Sequence, residues 1–253
     1  MAEDGELRPR TLAAIRAVRA AGIECTIATG RMFRSVLPYA RKAGIGAPLV
    51  CYQGAAVVDP ETREWLLHEP IPLELGREAI EAVVAAGHGL NCYVDDELYV
   101  AQLTENARRY AEFQNLPVTE VGDLAAWLER PPTKLVVVGD PDELDALRPK
   151  LERQFGGRLF IAKSLPYFLE LASPNVSKGT GLAFVAERLG IPLERVIAFG
   201  VGENDLELLD AAGFGIAVET GHELLRARAD WICPGPDEEG VAQVLEALVD
   251  SRA

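Results

Sequence analysis

Val196 to Val218 read VIAFGVGENDLELLDAAGFGIAV, and this stretch indicates the class of fold. An apolar strand ends at Gly200, a glycine-rich turn with acidic residues follows, and a helix then leads to a second apolar strand at Phe214. A strand, a helix and another strand in this order form a crossover connection, which places both strands in one parallel sheet. Strands this apolar are buried on both faces, so helices cover both sides of the sheet. We therefore predict a doubly wound α/β fold.

The same alternation of strand and helix patterns occurs in the N-terminal part of the chain. An apolar run at Ile23–Ala28 follows a helical pattern, and a further strand pattern occurs at Pro48–Gln53. Residues 72–173 differ, because paired strands and helices replace single strands that alternate with helices. We therefore predict a mostly parallel, Rossmann-like core sheet formed by residues 1–71 and 174–253, and an inserted α+β domain formed by residues 72–173.

The chain is acidic, with 25 lysine and arginine residues against 39 aspartate and glutamate residues and a formal net charge of −14. Nucleic acids are bound through clustered basic residues, so this charge argues against a nucleic-acid partner. No apolar run is long enough to span a membrane, and the first residues do not resemble a signal peptide. The four cysteines lack the spacing of metal ligands or of a redox motif. We predict a cytoplasmic protein with buried, reduced thiols and no membrane partner.

Three groups of polar residues follow predicted core strands or begin a core helix, at the edge where open parallel sheets bind ligands. Thr29 and Gly30 offer a hydroxyl and a backbone amide to phosphate oxygens. Lys178 lies at a helix N-terminus, which favours an anion, and the turn with Asn204 and Asp205 offers carboxylates to a hard cation. Each group alone has an ordinary explanation as a turn, a solvated lysine or a helix N-cap. Their common location favours a site for an anion and a metal ion.

Four stretches in this order resemble the haloacid dehalogenase superfamily. They are Leu7–Arg31 (LRPRTLAAIRAVRAAGIECTIATGR), Cys51–Thr62 (CYQGAAVVDPET), Asn175–Ile191 (NVSKGTGLAFVAERLGI) and Val196–Val218. Within the superfamily the similarity is to the Cof-like sugar-phosphate phosphatases, in which a large α/β cap is inserted into the core. These phosphatases usually have asparagine at the place of Gln53. The resemblance covers nearly the whole chain and implies the same fold, with residues 72–173 as the cap.

The resemblance also implies a chemistry. In these phosphatases an aspartate attacks the phosphoryl group, water hydrolyses the aspartyl phosphate, and Mg²⁺ neutralises the charge. By the same resemblance, Thr29 and Lys178 hold the phosphoryl oxygens, and Gly30 supplies a backbone amide. Asn204 orients the phosphate or a metal-bound water, and Asp205 supports the Mg²⁺ ion. The cap closes over the substrate, a small phosphorylated metabolite.

Two parts of the family's catalytic machinery are missing from the sequence. The first is the apolar strand that ends in Asp-x-Asp-Gly-Thr and carries the nucleophile. Asp4 and Gly5 superficially match it, but no apolar run precedes them, and their distance to Pro9 fits the following loop better. The second is the aspartate that binds Mg²⁺ directly, because Val201 takes its place and valine cannot ligate a hard cation. We therefore assign no nucleophile and expect weakened Mg²⁺ binding.

The missing strand would lie between the strands that end at Thr29 and Gly200. An unpaired buried amide or carbonyl costs roughly 1–3 kcal/mol. We therefore expect these two strands either to pair directly or to receive another segment, for example from a second chain.

Three functions remain open from the sequence. The chain is a Mg²⁺-dependent phosphatase of small phosphorylated metabolites without its first strand, or a non-catalytic relative that binds a phosphorylated metabolite or a protein. The third alternative is a scaffold or homo-oligomer that uses the open sheet edge. Two independent losses in one site favour impaired or absent turnover, because removing a covalent nucleophile costs several orders of magnitude in rate.

Overall fold

The computed structural model describes residues 7–251, with the backbone alone described for residues 113 and 114. Within this range the α-helices are α1 (Pro9–Ala20), α2 (Phe33–Ala43), α3 (Leu73–Ala85), α4 (Glu105–Gln114), α5 (Leu124–Trp127), α6 (Pro141–Phe155), α7 (Lys178–Leu189), α8 (Leu206–Ala211), α9 (Glu223–Arg228) and α10 (Gly240–Asp250). The strands are β1 (Leu49–Cys51), β2 (Ala56–Val58), β3 (Trp65–His68), β4 (Leu90–Val94), β5 (Glu97–Val100), β6 (Val118–Glu120), β7 (Lys134–Val138), β8 (Phe160–Leu165), β9 (Phe168–Ala172), β10 (Ile197–Gly200), β11 (Phe214–Val218) and β12 (Trp231–Cys233).

The strands form three sheets. One has the order β1-β2-β3 and is antiparallel, and another has the order β10-β11-β12 and is parallel. The third has six strands in the order β6-β5-β4-β7-β9-β8. We call the elements from α3 to β9 the cap and the rest of the described chain the core. The predicted α/β core with an α+β insertion is therefore present, and the exact boundaries at residues 71/72 and 173/174 stay a prediction.

The structure corrects the prediction of a core strand at Ile23–Ala28. This segment makes a single parallel bridge, between Ala28 and Val50 of β1. Backbone hydrogen bonds of 2.9 Å from Thr29 to Val50 and from Val50 to Ile27 flank that bridge. Within residues 7–251 no strand pairs with its other side, so the segment has only the short β1 as a partner.

The predicted single core sheet is consequently divided into two three-stranded sheets. The division lies between the segment that ends at Ala28 and β10, which is where the sequence predicts the missing strand. Asn204, just after β10, contacts Gln53, just after β1, across this division. Direct pairing of the strands that end at Thr29 and Gly200, one of the two expected arrangements, is not what the described chain contains. We call Ile23–Ala28 and the free side of β10 the open edges.

Helix α7 begins at Lys178 because a capping box fixes its start. The Oγ of Ser177 accepts the amide of Thr180 at 3.1 Å, and the Oγ1 of Thr180 accepts the amide of Ser177 at 2.9 Å. These two bonds satisfy amides that a helix start otherwise leaves free. Gly190 in the left-handed conformation ends the helix. Lys178 is therefore held at the first helical position.

The two faces of the cap sheet have different partners. Helices α3 and α6 pack on one face and form a cluster of their own with it. From the opposite face, Tyr93, Val136 and Phe168 join the apolar cluster that α1, α2 and β1 contribute to. Because side chains alternate along a strand, Lys134 of β7 and Glu170 of β9 lie on this core-facing side.

The predicted burial of the thiols is confirmed for Cys51, Cys92 and Cys233, whereas Cys25 is half-buried. Burial raises the pKa of these thiols, that of Cys92 to about 12. The thiols therefore stay protonated at neutral pH. Among the described residues, no helix combines the length and the apolar character that crossing a membrane requires.

Candidate active site

A loop at residues 29–31 is held by a turn at residues 52–54. The amide of Gln53 donates to the carbonyl of Thr29 (3.0 Å), and the amide of the residue before it donates to the carbonyl of Arg31 (2.9 Å). Within the loop, the Oγ1 of Thr29 accepts the amide of Arg31 at 3.1 Å. A hydroxyl that accepts one hydrogen bond keeps its own hydrogen to donate. The loop therefore holds the Thr29 hydroxyl in a fixed orientation with its donor available.

The turn itself has an unusual backbone. Tyr52 and Gln53 have φ values of 53° and 61°, and Gly54 follows with 102°. A left-handed non-glycine residue costs of order 1–3 kcal/mol, and such residues cluster at functional sites. Space is also restricted, because a Cβ on Gly30 would overlap the Gln53 side chain and one on Gly54 would overlap the carbonyl of Ser177. The turn is thus wedged between the loop and the start of α7.

Lys178 and Asp205 form a buried ion pair. The distance from Nζ of Lys178 to Oδ1 of Asp205 is 2.5 Å. The Oδ2 of Asp205 accepts the amides of Val201 and Gly202, both at 2.9 Å. Asp205 therefore closes the turn after β10 and also balances the charge of Lys178. Because an ammonium has three donors, Lys178 can still donate to an anion.

Gln53 links both core loops to the cap. Its Oε1 accepts from Nδ2 of Asn204 (3.0 Å), and its Nε2 donates to Oε2 of Glu170 (3.1 Å). The Nζ of Lys134 donates to the same carboxylate oxygen (3.1 Å) and to the carbonyl of Gly30 (2.6 Å). We call these five residues the interface network. Gln53, Lys134 and Glu170 are at most 5% exposed, so the network is a buried polar connection between core and cap.

A second contact between cap and core lies at the start of α2. Asp96, in the turn between β4 and β5, accepts the hydroxyl of Tyr52 at 2.7 Å with one oxygen and the amide of Arg34 at 2.9 Å with the other. A carboxylate is favourable at a helix N-terminus, where amides are free and the dipole is positive. Burial raises the pKa of the Asp96 carboxyl, and it also raises the pKa of the Tyr52 hydroxyl well above its usual value.

The structure brings the predicted site residues into one connected set. Backbone and side-chain contacts through Gln53, and the ion pair at the start of α7, join Thr29, Gly30, Lys178, Asn204 and Asp205. Their individual roles stay predictions. Asp4, which superficially matches the nucleophile motif, lies outside the described residues.

Mg²⁺ is the cofactor that the resemblance implies, but the described residues do not fit it. Both oxygens of Asp205 already accept hydrogen bonds, from Lys178 and from two backbone amides. Val201, at the place of the family's metal aspartate, has an aliphatic side chain that is 51% exposed. Among residues 7–251, no three His, Cys, Asp or Glu side chains are grouped so that they could hold a metal ion. No Mg²⁺-dependent step is therefore assigned to these residues.

Sequence patterns alone predict no role for Gln53, Lys134 or Glu170, which the structure places at the centre of the site. Lys134 and Glu170 belong to the otherwise apolar strands KLVVV and FLELA. Charged residues are almost never fully buried unless they are paired. One basic and one acidic residue in two apolar strands of the same domain were therefore a usable signal of a buried pair. The contacts of that pair with the core depend on the tertiary structure.

The comparison with known families decides the assignment. A family model described as haloacid dehalogenase-like hydrolase matches residues 1–245 of this chain. The chain belongs to the haloacid dehalogenase-like hydrolases. This confirms the family that the four sequence stretches resemble, together with its α/β core and cap.

Two relatives and one solved structure show how far the similarity extends in this hydrolase family. The 5-amino-6-(5-phospho-D-ribitylamino)uracil phosphatase of Bacillus subtilis is 27% identical over 248 residues, which cover 96% of this chain and 92% of the relative. The pyridoxal phosphate phosphatase of Escherichia coli is 27% identical over 250 residues, which cover 94% and 91%. A haloacid dehalogenase-like hydrolase from Bacteroides thetaiotaomicron superposes with a TM-score of 0.87 at 26% identity, covering 97% and 94%. The chain is thus a phosphatase-like member of the family.

Proposed function

We propose that the chain binds the phosphate group of a small phosphorylated metabolite at Thr29, Gly30 and Lys178, beneath the cap. The position of Lys178 is the observation that carries the proposal. A buried ammonium at the first position of a helix places directed hydrogen-bond donors where the helix dipole already favours an anion. Asn204 belongs to the same connected set. The two relatives named above are phosphatases of phosphorylated metabolites, which agrees with this ligand class.

The charges of the site limit how a phosphate is held. Lys178 is balanced by Asp205 and Lys134 by Glu170, so these two buried pairs have no net charge. Attraction for the phosphate therefore depends on directed donors, namely the Lys178 ammonium, the Thr29 hydroxyl and backbone amides. Charge-assisted hydrogen bonds of this kind depend strongly on geometry.

We further propose that this chain hydrolyses phosphate esters slowly or not at all. Among residues 7–251, the carboxylates that contact the site residues are those of Asp205 and Glu170. Each accepts hydrogen bonds from a buried lysine and from a further donor, which lowers its nucleophilicity towards phosphorus. Val201 cannot replace a metal-binding aspartate. A competent phosphatase would need an aspartate from outside residues 7–251.

Binding is tested by isothermal titration calorimetry with inorganic phosphate, pyridoxal phosphate and a panel of sugar phosphates. We expect at least one of these to bind the natural chain and to lose its affinity in Lys178→Ala. Lys163→Ala is the matched control, because Lys163 also pairs with a carboxylate, Asp145 at 2.7 Å, but within the cap. Equal binding by Lys178→Ala and the natural chain, or no binding by the natural chain, contradicts the proposal.

Turnover is tested by phosphate release from the same esters, with Mg²⁺ and with excess chelator. We expect no chelator-sensitive release above the protein-free blank. Chelator-sensitive turnover that disappears in Lys178→Ala would instead establish the active phosphatase. The variant Asp4→Asn would then show whether Asp4 is the nucleophile.

The open edges favour a second candidate function, binding of a further chain. Free amides and carbonyls on an edge strand pair readily with another strand, and Ile197 at the start of β10 is 37% exposed. This candidate predicts a concentration-dependent molar mass in light scattering. It also predicts slower amide exchange at Ile23–Ala28 and β10 as the assembly forms. A constant monomer mass contradicts it.

A further inference from the structure

Lys134 and Glu170 form an ion pair on the core-facing side of the cap sheet. The distance from Nζ to Oε2 is 3.1 Å, and the two side chains are 3% and 6% exposed. Burying two charges requires desolvation, and apolar residues of similar volume are often at least as stable. The strands around the pair are apolar and are already stabilised by the helices on the other face. The stability of the cap therefore does not explain why these two charges are buried. The contacts that Lys134 and Glu170 make with the core explain it better.

Lys134 holds the loop at residues 29–31 from the cap. Its Nζ lies 2.6 Å from the carbonyl oxygen of Gly30. That carbonyl and the amide of Arg31 belong to one planar peptide unit and point in opposite directions. The Arg31 amide in turn donates to the Oγ1 of Thr29. Fixing the Gly30 carbonyl therefore fixes the hydroxyl that is proposed to bind phosphate.

Two aromatic rings restrict the Lys134 ammonium further. Its Nζ lies 5.1 Å from the ring centroid of Tyr93 and 6.0 Å from that of Tyr52, within the range of cation–π attraction. The Tyr93 hydroxyl bonds to the hydroxyl of Tyr110, and the Tyr52 hydroxyl bonds to Asp96. Both rings are therefore anchored, and the ammonium has a defined position.

Glu170 orients another predicted phosphate-binding side chain, that of Asn204, through Gln53. Its Oε2 accepts from the Nε2 of Gln53, and the Oε1 of Gln53 accepts from Asn204. A carboxylate is an acceptor only, so Glu170 requires the nitrogen of Gln53 to face it. The oxygen of Gln53 then faces Asn204 and requires its amide nitrogen. Glu170 thereby selects one orientation of the Asn204 amide.

We propose that Lys134 and Glu170 are positioning residues of the phosphate site. Neither touches the phosphate. Lys134 orients the Thr29 hydroxyl through the Gly30–Arg31 peptide, and Glu170 orients Asn204 through Gln53. This inference rests on the proposed function and gives the cap a second role, since the cap completes the site of the core as well as covering it.

Lys134→Met tests the inference, with Lys163→Met as the matched control. Lys163 has the same two kinds of partner, a carboxylate (Asp145, 2.7 Å) and a backbone carbonyl (Pro141, 3.5 Å), but both lie within the cap. Inorganic phosphate is titrated into each protein by calorimetry. Lys134→Met should weaken phosphate binding by roughly 10- to 100-fold, the range seen when groups that orient metal-ligating residues are removed. Lys163→Met should bind like the natural chain, and an equal loss in both variants overturns the inference.

The double variant Lys134→Met with Glu170→Gln distinguishes a positioning role of the pair from a role in stability alone. Lys134→Met leaves a buried carboxylate without its cation, which destabilises the protein. The double variant removes both charges and retains an oxygen that can accept from Gln53, so the urea midpoint should return towards the natural value. Phosphate affinity should stay low, because the Gly30 carbonyl still lacks its donor. Recovery of affinity together with the midpoint overturns the inference.

A ligand-free measurement separates this inference from the proposed function. In Lys134→Met the NMR signals of the Gly30 and Arg31 amides and of the Asn204 side chain should shift, and in Lys163→Met they should not. Unchanged signals overturn the positioning role whether or not phosphate binds. Shifted signals in a protein whose natural form binds no phosphate support the network and overturn the proposed function.

Discussion

The cap and the core each contain six of the strands in residues 7–251, but they pair them differently. In the cap all six form one continuous sheet, whereas in the core they form two sheets of three. The segment Ile23–Ala28 is as apolar as many strands and still makes only one bridge. The comparison shows that an apolar pattern becomes a strand only where a partner extends along it.

The difference also explains how the site is held. In a complete parallel sheet, ladders on both sides would fix the loops at the carboxyl ends of the strands. Here the loop at residues 29–31 is held by the turn after β1 and by Lys134 of the cap. The six-stranded cap sheet, through Lys134, thus holds a core loop that a complete core sheet would hold by itself.

Filling the division between the core sheets should have the largest effect. An apolar strand ending in Asp-x-Asp, attached to the N-terminus of the chain and combined with Val201→Asp, would satisfy both open edges and supply carboxylates at the site. We expect phosphate-ester hydrolysis to rise by several orders of magnitude, comparable to what removal of a covalent nucleophile costs. Phosphate release in the presence of Mg²⁺ measures it.

The same extension with asparagine in place of the first aspartate is the control for this experiment. It should slow amide exchange at Ile23–Ala28 and β10 to the level of the cap strands without producing turnover. Exchange that stays fast in both extended chains would contradict the assignment of the open edges as a strand site.

The buried Lys178–Asp205 pair of the core and the more exposed Lys163–Asp145 pair of the cap should also respond differently when the aspartate is truncated. Asp205→Ala leaves Lys178 buried without its partner and removes the acceptor of two backbone amides, so we expect a loss of about 3–5 kcal/mol in the free energy of unfolding. Asp145→Ala removes a carboxylate that is 62% exposed, for which about 0–1 kcal/mol is typical. Urea unfolding followed by circular dichroism measures both, and equal losses would contradict the structural role of Asp205.

Much of the fold follows from local sequence. The strand, helix and parallel strand of residues 196–218 and the helix that begins at Lys178 are predicted from their sequence patterns, and they are present as β10, α8, β11 and α7. Ile23–Ala28 is different, because its pattern contains no information on whether a neighbour is present. The prediction there fails for that reason.

The candidate site could be predicted from the sequence only in part. Thr29, Lys178 and Asp205 follow from topology, since the ends of parallel strands meet at one edge. The interface network was not accessible, because Lys134 and Glu170 are more than 100 residues from their partners in the core in sequence. Only the folding of the cap onto the core brings them to Gln53 and Gly30.

The smallest expected effect concerns Asp96, which also joins the cap to the core. Asp96→Asn keeps one acceptor oxygen and loses the second, so we expect a cost of about 1 kcal/mol. This cost should depend on pH. Because burial raises the folded-state pKa of Asp96 above its ordinary value of 3.8, its stabilising contribution is complete below that value and declines as the pH rises through the folded-state pKa. The difference in urea midpoint between the natural chain and Asp96→Asn should therefore be largest in acid and shrink towards neutral pH.

Tyr52→Phe sharpens this prediction. The Tyr52 hydroxyl donates to Asp96 and opposes the effect of burial on its pKa. Its removal should raise the pKa of Asp96 further, so the pH range over which Asp96→Asn and its parent converge should move upwards in the Tyr52→Phe background. A difference that is constant with pH would show that Asp96 does not titrate in this contact. A range that moves downwards would show that the Tyr52 hydroxyl does not stabilise the charged carboxylate, and that the contact of Asp96 with α2 depends on Arg34 instead.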